Sequence, residues 1–202
     1  MPLFSPDNVR LGSRSARAVA PRALAVLTAL LVATVGCARV DAAQPKVGYK
    51  AAPVTWGALD GGKLSLTDLT AKGPVVLVVL RGFPGYQCPV CTSQMGSLLS
   101  CSEQFAAANT RVILVYPGPA EGLQAHAQEF VSGKQIPKNF RIVLDPDYAF
   151  TNQYGLRWNA SGETAYPSTF VLEKGGKVVF AKVSKSHGDR STAPEILKAL
   201  GK

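Results

Sequence analysis

Two cysteines separated by two residues, Cys88-Pro89-Val90-Cys91, are the part of the sequence best suited to chemistry. Within one helical turn, thiols at this spacing lie close enough to make and break a disulfide reversibly. The thiolate is the reactive form, and free amide N–H groups at a helix start, together with the helix dipole, favour it. The residues around the pair supply that setting. Val75-Val76-Leu77-Val78-Val79-Leu80 is a continuous branched apolar run, read as a strand buried on both faces. Residues 88–108 follow as a helix with Met95, Leu98, Leu99 and Phe105 at helical spacing. The cysteines therefore fall where a buried strand gives way to a helix, and there a CxxC is a strong redox signal. Pro89 suits a first helical turn because it has no amide to satisfy. Arg81, at the end of the strand, adds positive charge nearby.

Other uses of paired cysteines fit less well. Zinc needs four ligands, whereas the chain after residue 42 offers Cys88, Cys91, Cys101 and two isolated histidines, His126 and His187. An iron–sulfur cluster lacks its fourth thiolate. Covalent haem needs a histidine after the second cysteine, and Thr92 stands there. A purely structural bond across two residues closes too small a loop to stabilise much. The expectation is redox work with no metal and no cofactor. Cys101, about 15 Å farther along one helix, reads as a buried inert thiol, with a resolving cysteine as the alternative.

The elements that must position this pair follow from hydrophobic periodicity. Arg111–Tyr116 is a second buried strand, a helix runs from about Ala120 to Val131, and Ile142–Leu144 is a third strand. A short helix near Tyr148–Tyr154 comes next. Thr169–Leu172 and Val178–Ala181 flank Lys174-Gly175-Gly176 as a hairpin. Thr192 with Glu195 three residues on is a capping box that opens a final helix to Leu200. Residues 48–70 add a short strand pair around Asp60-Gly61-Gly62. The order predicts an α/β, thioredoxin-like fold: a central mixed sheet, helices on both faces and an N-terminal strand extension.

That topology brings two further segments to the cysteines. Pro167, in Tyr166-Pro167-Ser168-Thr169-Phe170, opens a strand expected to run antiparallel beside the first buried strand, and its beginning then lies next to the CxxC. The strand after it returns, which places the Ser184–Ser191 loop at the same end. His187, Gly188, Asp189 and Arg190 there either overlook the sulfurs or form a solvated loop. Trp56, Trp158 and Tyr86 line a substrate surface or, for the two tryptophans, pack in the core.

The beginning of the chain reads as an address. Residues 1–22 hold Arg10, Arg14, Arg17 and Arg22 against the single acid Asp7, and the apolar run Ala23–Gly36 has 14 residues. A spanning helix needs about 20. Charged start, short apolar stretch and small-residue exit predict a secretory signal peptide over residues 1–42, with a domain over 43–202 that works in the periplasm or anchored facing it. Thr34-Val35-Gly36-Cys37 also resembles a bacterial lipobox, which would make Cys37 a lipidated membrane tether. Of the formal charge of +9, residues 1–42 carry five Arg and two Asp, so the domain is only mildly basic. No basic run interleaved with aromatics appears, which speaks against a nucleic-acid partner. An apolar fraction of 47% speaks against a disordered chain.

Pro84-x-x-x-Cys88-x-x-Cys91, Val143-Leu144-Asp145-Pro146-Asp147 with Tyr154-Gly155, and Pro167-Ser168-Thr169-Phe170-Val171-Leu172-Glu173 together resemble the AhpC/TSA redoxin superfamily. It includes peroxiredoxins and TlpA/ResA-type thiol–disulfide oxidoreductases, and the resemblance spans residues 46–200. It implies a thioredoxin-like fold and an oxidoreductase acting on thiols, disulfides or peroxide, working with protein partners or a hydroperoxide and an upstream thiol reductant. In the oxidoreductase branch, Cys88 is the exposed nucleophile, Cys91 the resolving thiol and Pro167 the shaper of the substrate groove. In the peroxiredoxin branch, Cys91 attacks the peroxide, Cys88 resolves, Pro84 shields the sulfur, and Arg81 or Arg190 replaces the arginine those enzymes place near the late strand. Two departures, Cys88 at the Thr/Ser position and Pro167 in place of that arginine, favour disulfide exchange. A tethered redoxin-like binding module is the non-enzymatic alternative.

Overall fold

The computed structural model describes residues 43–202. The signal-peptide reading and Cys37 therefore lie outside the described residues. In chain order the elements are β1 (Thr55–Ala58), β2 (Lys63–Ser65), α1 (Leu66–Lys72), β3 (Val75–Val79), α2 (Pro89–Ser100), α3 (Ser102–Ala107), β4 (Arg111–Gly118), α4 (Leu123–Val131), β5 (Phe140–Pro146), α5 (Ala149–Gln153), β6 (Ser168–Leu172), β7 (Val178–Val183) and α6 (Ala193–Ala199).

Branched apolar side chains at every position leave β3 no face for water, and all five of its residues are buried. It sits inside a seven-stranded sheet of order β2-β1-β5-β4-β3-β6-β7. β3, β4 and β5 are parallel neighbours. β6 runs antiparallel to β3, and β7 antiparallel to β6. The β1–β2 hairpin adds an antiparallel extension to the edge of β5. This is the mixed, thioredoxin-like sheet predicted from the sequence, extension included.

The pleat of β3 divides the core in two. Val76 and Val78 face one layer with Met95 and Leu98 of α2, Phe105 of α3, Phe130 of α4 and Ile196 of α6. Val75, Leu77 and Val79 face the other, with Leu66 and Leu69 of α1 and Phe150 of α5. Each large apolar side chain removed from water contributes about 1.5–3 kcal/mol, so the sheet is clamped between two helical layers.

Boundaries differ from the periodicity reading in places that have local causes. The helix expected over residues 88–108 breaks at Cys101, whose backbone (φ −103°, ψ 15°) closes α2 and starts α3. The new axis carries Phe105 into edge-to-face contact with Phe140, centroids 6.0 Å apart. Cys101 itself is half-buried rather than buried. α4 starts at Leu123, because Gly122 ahead of it adopts a left-handed conformation. β5 is longer than Ile142–Leu144, since it pairs with β4 from Phe140 to Pro146. At its end the buried Asp145 carboxylate accepts the Phe150 and Thr151 amides at 2.6 and 3.0 Å, which starts α5. The capping box of α6 forms as predicted, with Thr192 and Glu195 satisfying each other's backbone amides.

Candidate active site

The segment between β3 and α2 aims the cysteines. Arg81 and Gly82 are buried, and Gly82 turns the chain at φ +75°. A side chain there would collide with the Pro117 carbonyl, so only glycine lets the β3 and β4 ends approach this closely. The chain then enters α2 with Cys88 as its N-cap and Pro89 in the first turn.

As N-cap, Cys88 folds its Sγ back over the helix start, where it accepts the Cys91 N–H at 3.3 Å. Cys91 lies one turn inside, and its Sγ accepts the Arg81 backbone N–H at 3.4 Å. Arg190, in the loop between β7 and α6, completes the sulfur environment: its Nη2 is 3.7 Å from Cys88 Sγ and 3.4 Å from Cys91 Sγ. Both thiols are free.

These contacts separate the two acidities. The hydrogen bond from the Cys91 thiol, its backbone N–H and the Arg190 charge outweigh burial and lower the Cys88 pKa to about 5. Donating that hydrogen bond raises the pKa of Cys91, and burial raises it further. These opposite shifts favour a thiolate on Cys88 beside a protonated Cys91 in the reduced pair. Arg81 is the smallest of the charges acting on Cys88 because its guanidinium is committed elsewhere. Its Nε donates to Glu163 at 2.8 Å, Nη1 to the Tyr86 hydroxyl at 2.6 Å and Nη2 to the Gly162 carbonyl at 2.7 Å. The positive charge expected from Arg81 is thus neutralised, and what it gives the site is chiefly its backbone amide.

The remaining predicted residues fall as follows. Pro167 is buried directly before β6, one residue beyond the Val79–Ser168 pair, and its carbonyl accepts the Ser184 N–H at 2.8 Å. That bond ties the root of the Ser184–Ser191 loop to the start of β6. From this loop Arg190 reaches the sulfurs, while Lys185, Ser186, Gly188 and Asp189 face solvent. Pro84 lines an open cavity of about 670 Å³ with Phe83, His126 and Glu163. Trp56 is core, while Trp158 stacks on Tyr166 at 4.8 Å, and Tyr86 is exposed at the rim. Cys88 is not the exposed thiol that the sequence suggested: it is 3% accessible, because capping the helix turns its sulfur inward beneath Arg190.

Three supporting residues were not singled out from the sequence. Gln94 accepts Arg190 Nη1 at 3.0 Å, and its place one turn after Cys91 was a findable signal. Gln87, just before Cys88, accepts the buried Tyr116 hydroxyl at 3.0 Å and donates to Glu129 at 2.9 Å, fixing the helix entry to β4 and α4. Glu163 had no sequence signal, since its partners are distant in the chain.

Comparison with known proteins agrees with this geometry. The family model described as AhpC/TSA family matches residues 47–181. No curated protein sequence matches the chain. Among solved structures, peroxidoxin BcpB from Mycobacterium tuberculosis is 20% identical, covering 78% of this chain and 97% of its own, with a TM-score of 0.62. A peroxiredoxin-like protein from Aquifex aeolicus is 16% identical over 78% of this chain and 87% of its own, TM-score 0.63. A protein described as thiol:disulfide interchange protein DsbE, from Chlorobium tepidum, is 21% identical over 78% of this chain and all of its own, TM-score 0.58. At these identities the likeness is one of fold.

Proposed function

The chain belongs to the AhpC/TSA family and is a thiol oxidoreductase, and from that premise we propose that it performs thiol–disulfide exchange outside the cytoplasm, with Cys88 as nucleophile. The observation that carries this reading is the Cys88 Sγ at the α2 N-cap, holding the Cys91 N–H at 3.3 Å beside Arg190. It is the sulfur with the lowered pKa, to about 5.

The Cys88 thiolate attacks one sulfur of a substrate disulfide. A Cys88–substrate mixed disulfide forms, and the other substrate sulfur leaves as a thiolate that takes up a proton. Cys88 then no longer holds the Cys91 hydrogen bond that kept the Cys91 thiol protonated. Cys91 loses its proton to solvent, and its new charge is met by the Arg81 amide and Arg190, each 3.4 Å away. Its attack on Cys88 Sγ releases the second substrate thiolate and leaves a Cys88–Cys91 disulfide. Two electrons pass to the substrate, and the reverse sequence oxidises a dithiol. Pro167 shapes the surface beside the sulfurs on which the substrate chain lies, and Arg190 shifts to admit it. Residues 1–42 deliver the domain as a signal peptide, or Cys37 anchors it.

The test is a Cys91→Ser variant mixed with glutathione disulfide and read by mass spectrometry. A stable adduct on Cys88, absent from Cys88→Ser, is the expected result. An adduct that forms equally on Cys91 in Cys88→Ser overturns the assignment.

Peroxide reduction is the second reading, favoured by the two donors that converge on Cys91 Sγ. There the Cys91 thiolate would take the terminal oxygen of a hydroperoxide, releasing an alcohol or water. The resulting sulfenic acid would then condense with Cys88 to a disulfide and water. Sulfenic acid trapped on Cys91 of Cys88→Ser by stoichiometric peroxide would establish it; oxidation no faster than that of a free thiolate removes it.

A further inference from the structure

Glu163 lies between α5 and β6, its side chain only 13% exposed. Burial works against its charge, but hydrogen bonds from Arg81 and His187 hold its pKa below the usual carboxylate value. Oε2 accepts Arg81 Nε at 2.8 Å, and the two oxygens lie 3.0 and 3.1 Å from His187 Nε2. The carboxylate thus joins two segments that each supply a donor to the sulfurs.

Following the contacts gives a closed ring. The Arg81 N–H donates to Cys91 Sγ, and the Arg81 side chain grips Glu163. Glu163 holds the His187 ring, whose backbone carbonyl accepts Arg190 Nε at 2.8 Å. Arg190 Nη2 then returns to both sulfurs. An arginine side chain loses considerable rotamer entropy when fixed, so its placement needs anchors that are themselves fixed. Gln94 is one such anchor, on α2. The other is the His187 carbonyl, in a loop where Lys185, Ser186, Gly188 and Asp189 are exposed. Some other ties of that loop hold its two ends, Ser184 N–H to the Pro167 carbonyl at 2.8 Å and Gln94 Nε2 to the Ser191 carbonyl at 3.3 Å. The rest stay within it or on its solvent side: Lys182 to Asp189 at 3.2 Å, Lys182 to the Arg190 carbonyl, and Ser184 and Ser186 to Asp189. The Glu163–His187 contact reaches from it to the partly buried wall beside the redox pair, where the Trp158 ring flanks His187 at 5.2 Å.

We propose that Glu163 is a positioning residue for thiol chemistry: through His187 it sets the Arg190 guanidinium against the sulfurs and so stabilises the Cys88 thiolate. The proposal rests on Cys88 being the nucleophile. It also predicts a sign that a bare charge effect would not. Removing Glu163 leaves the Arg81 cation unmatched near the sulfurs, which alone would lower the Cys88 pKa. If Glu163 acts by placing Arg190, its removal raises it.

The experiment measures the Cys88 midpoint from the pH dependence of iodoacetamide alkylation in the reduced full-length chain. Glu163→Ala should move that midpoint upward by about one pH unit, as expected when a cation leaves contact with a thiolate. His187→Ala, which keeps the Arg81–Glu163 pair and alters an exposed loop, should reproduce the rise even if Glu163→Ala folds poorly. In an Arg190→Met background neither substitution should add a further rise. A lowered or unchanged midpoint in both single variants, or additive rises with Arg190→Met, overturns the proposal. A wild-type chain without a low midpoint at Cys88 instead overturns the assignment of the nucleophile, and the proposal with it.

Discussion

The pH dependence of the redox potential tests the separated acidities directly. With Cys88 lowered to about 5 and Cys91 raised, the reduced protein carries two thiol protons below pH 5 and one above it. Reduction of the disulfide takes two electrons throughout, and each accompanying proton gives a two-electron couple about 30 mV per pH unit. The potential should therefore fall by about 60 mV per pH unit in acid and by about 30 mV per pH unit above the break. Carried over the two units from pH 5 to neutrality, the shallower slope leaves the couple about 60 mV less negative than a pair whose thiols stay protonated, or close to 3 kcal/mol. The protein should thus be a better oxidant at neutral pH than its CxxC alone implies, because the N-cap geometry and Arg190 stabilise its reduced form. The assay is equilibration against a glutathione or dithiothreitol couple across the acid-to-neutral range. A Cys101→Ser background keeps the half-buried third thiol out of the exchange. Arg190→Met should move the break upward, since it removes a cation 3.7 Å from Cys88 Sγ. One steep slope maintained through neutrality would refute the reasoning, because no thiolate would then exist at working pH.

Three further outcomes follow from the same contacts. Gly82→Ala should destabilise the fold by more than about 2 kcal/mol in chemical denaturation, since a methyl there meets the Pro117 carbonyl at a positive φ. Thr192→Ala removes the side chain that caps α6 and should cost about 1 kcal/mol while leaving the Cys88 midpoint unchanged. In the reduced protein, a depressed thiol pKa adds stability that is complete above the unfolded thiol's pKa and is lost as pH falls through about 5. The denaturation difference between wild type and Cys88→Ser should therefore grow from acid to mildly alkaline pH, whereas a constant difference would contradict a native thiolate.

Much of the fold was legible because its signals are local. A branched apolar run has one stable setting, the middle of a sheet covered on both faces, so β3 was readable from Val75–Leu80 alone. The β6–β7 hairpin and the α6 capping box were equally local, written in Gly175-Gly176 and in Thr192 with Glu195. The break at Cys101 was not, because it answers to Phe105 finding Phe140 across the core.

At the site, the sequence by itself determined the reactive pair: two cysteines at that spacing on a helix start dictate redox chemistry, since the helix dipole and free amides act on whatever caps them. Chain order even indicated which loop would arrive nearby. Tertiary structure alone decided which sulfur bears the charge. That depends on Arg190 being placed against both sulfurs and on Glu163 claiming the Arg81 guanidinium. Those partners lie 82 to 102 residues apart in the chain, and electrostatic energy is set by distance in space, which sequence separation does not encode.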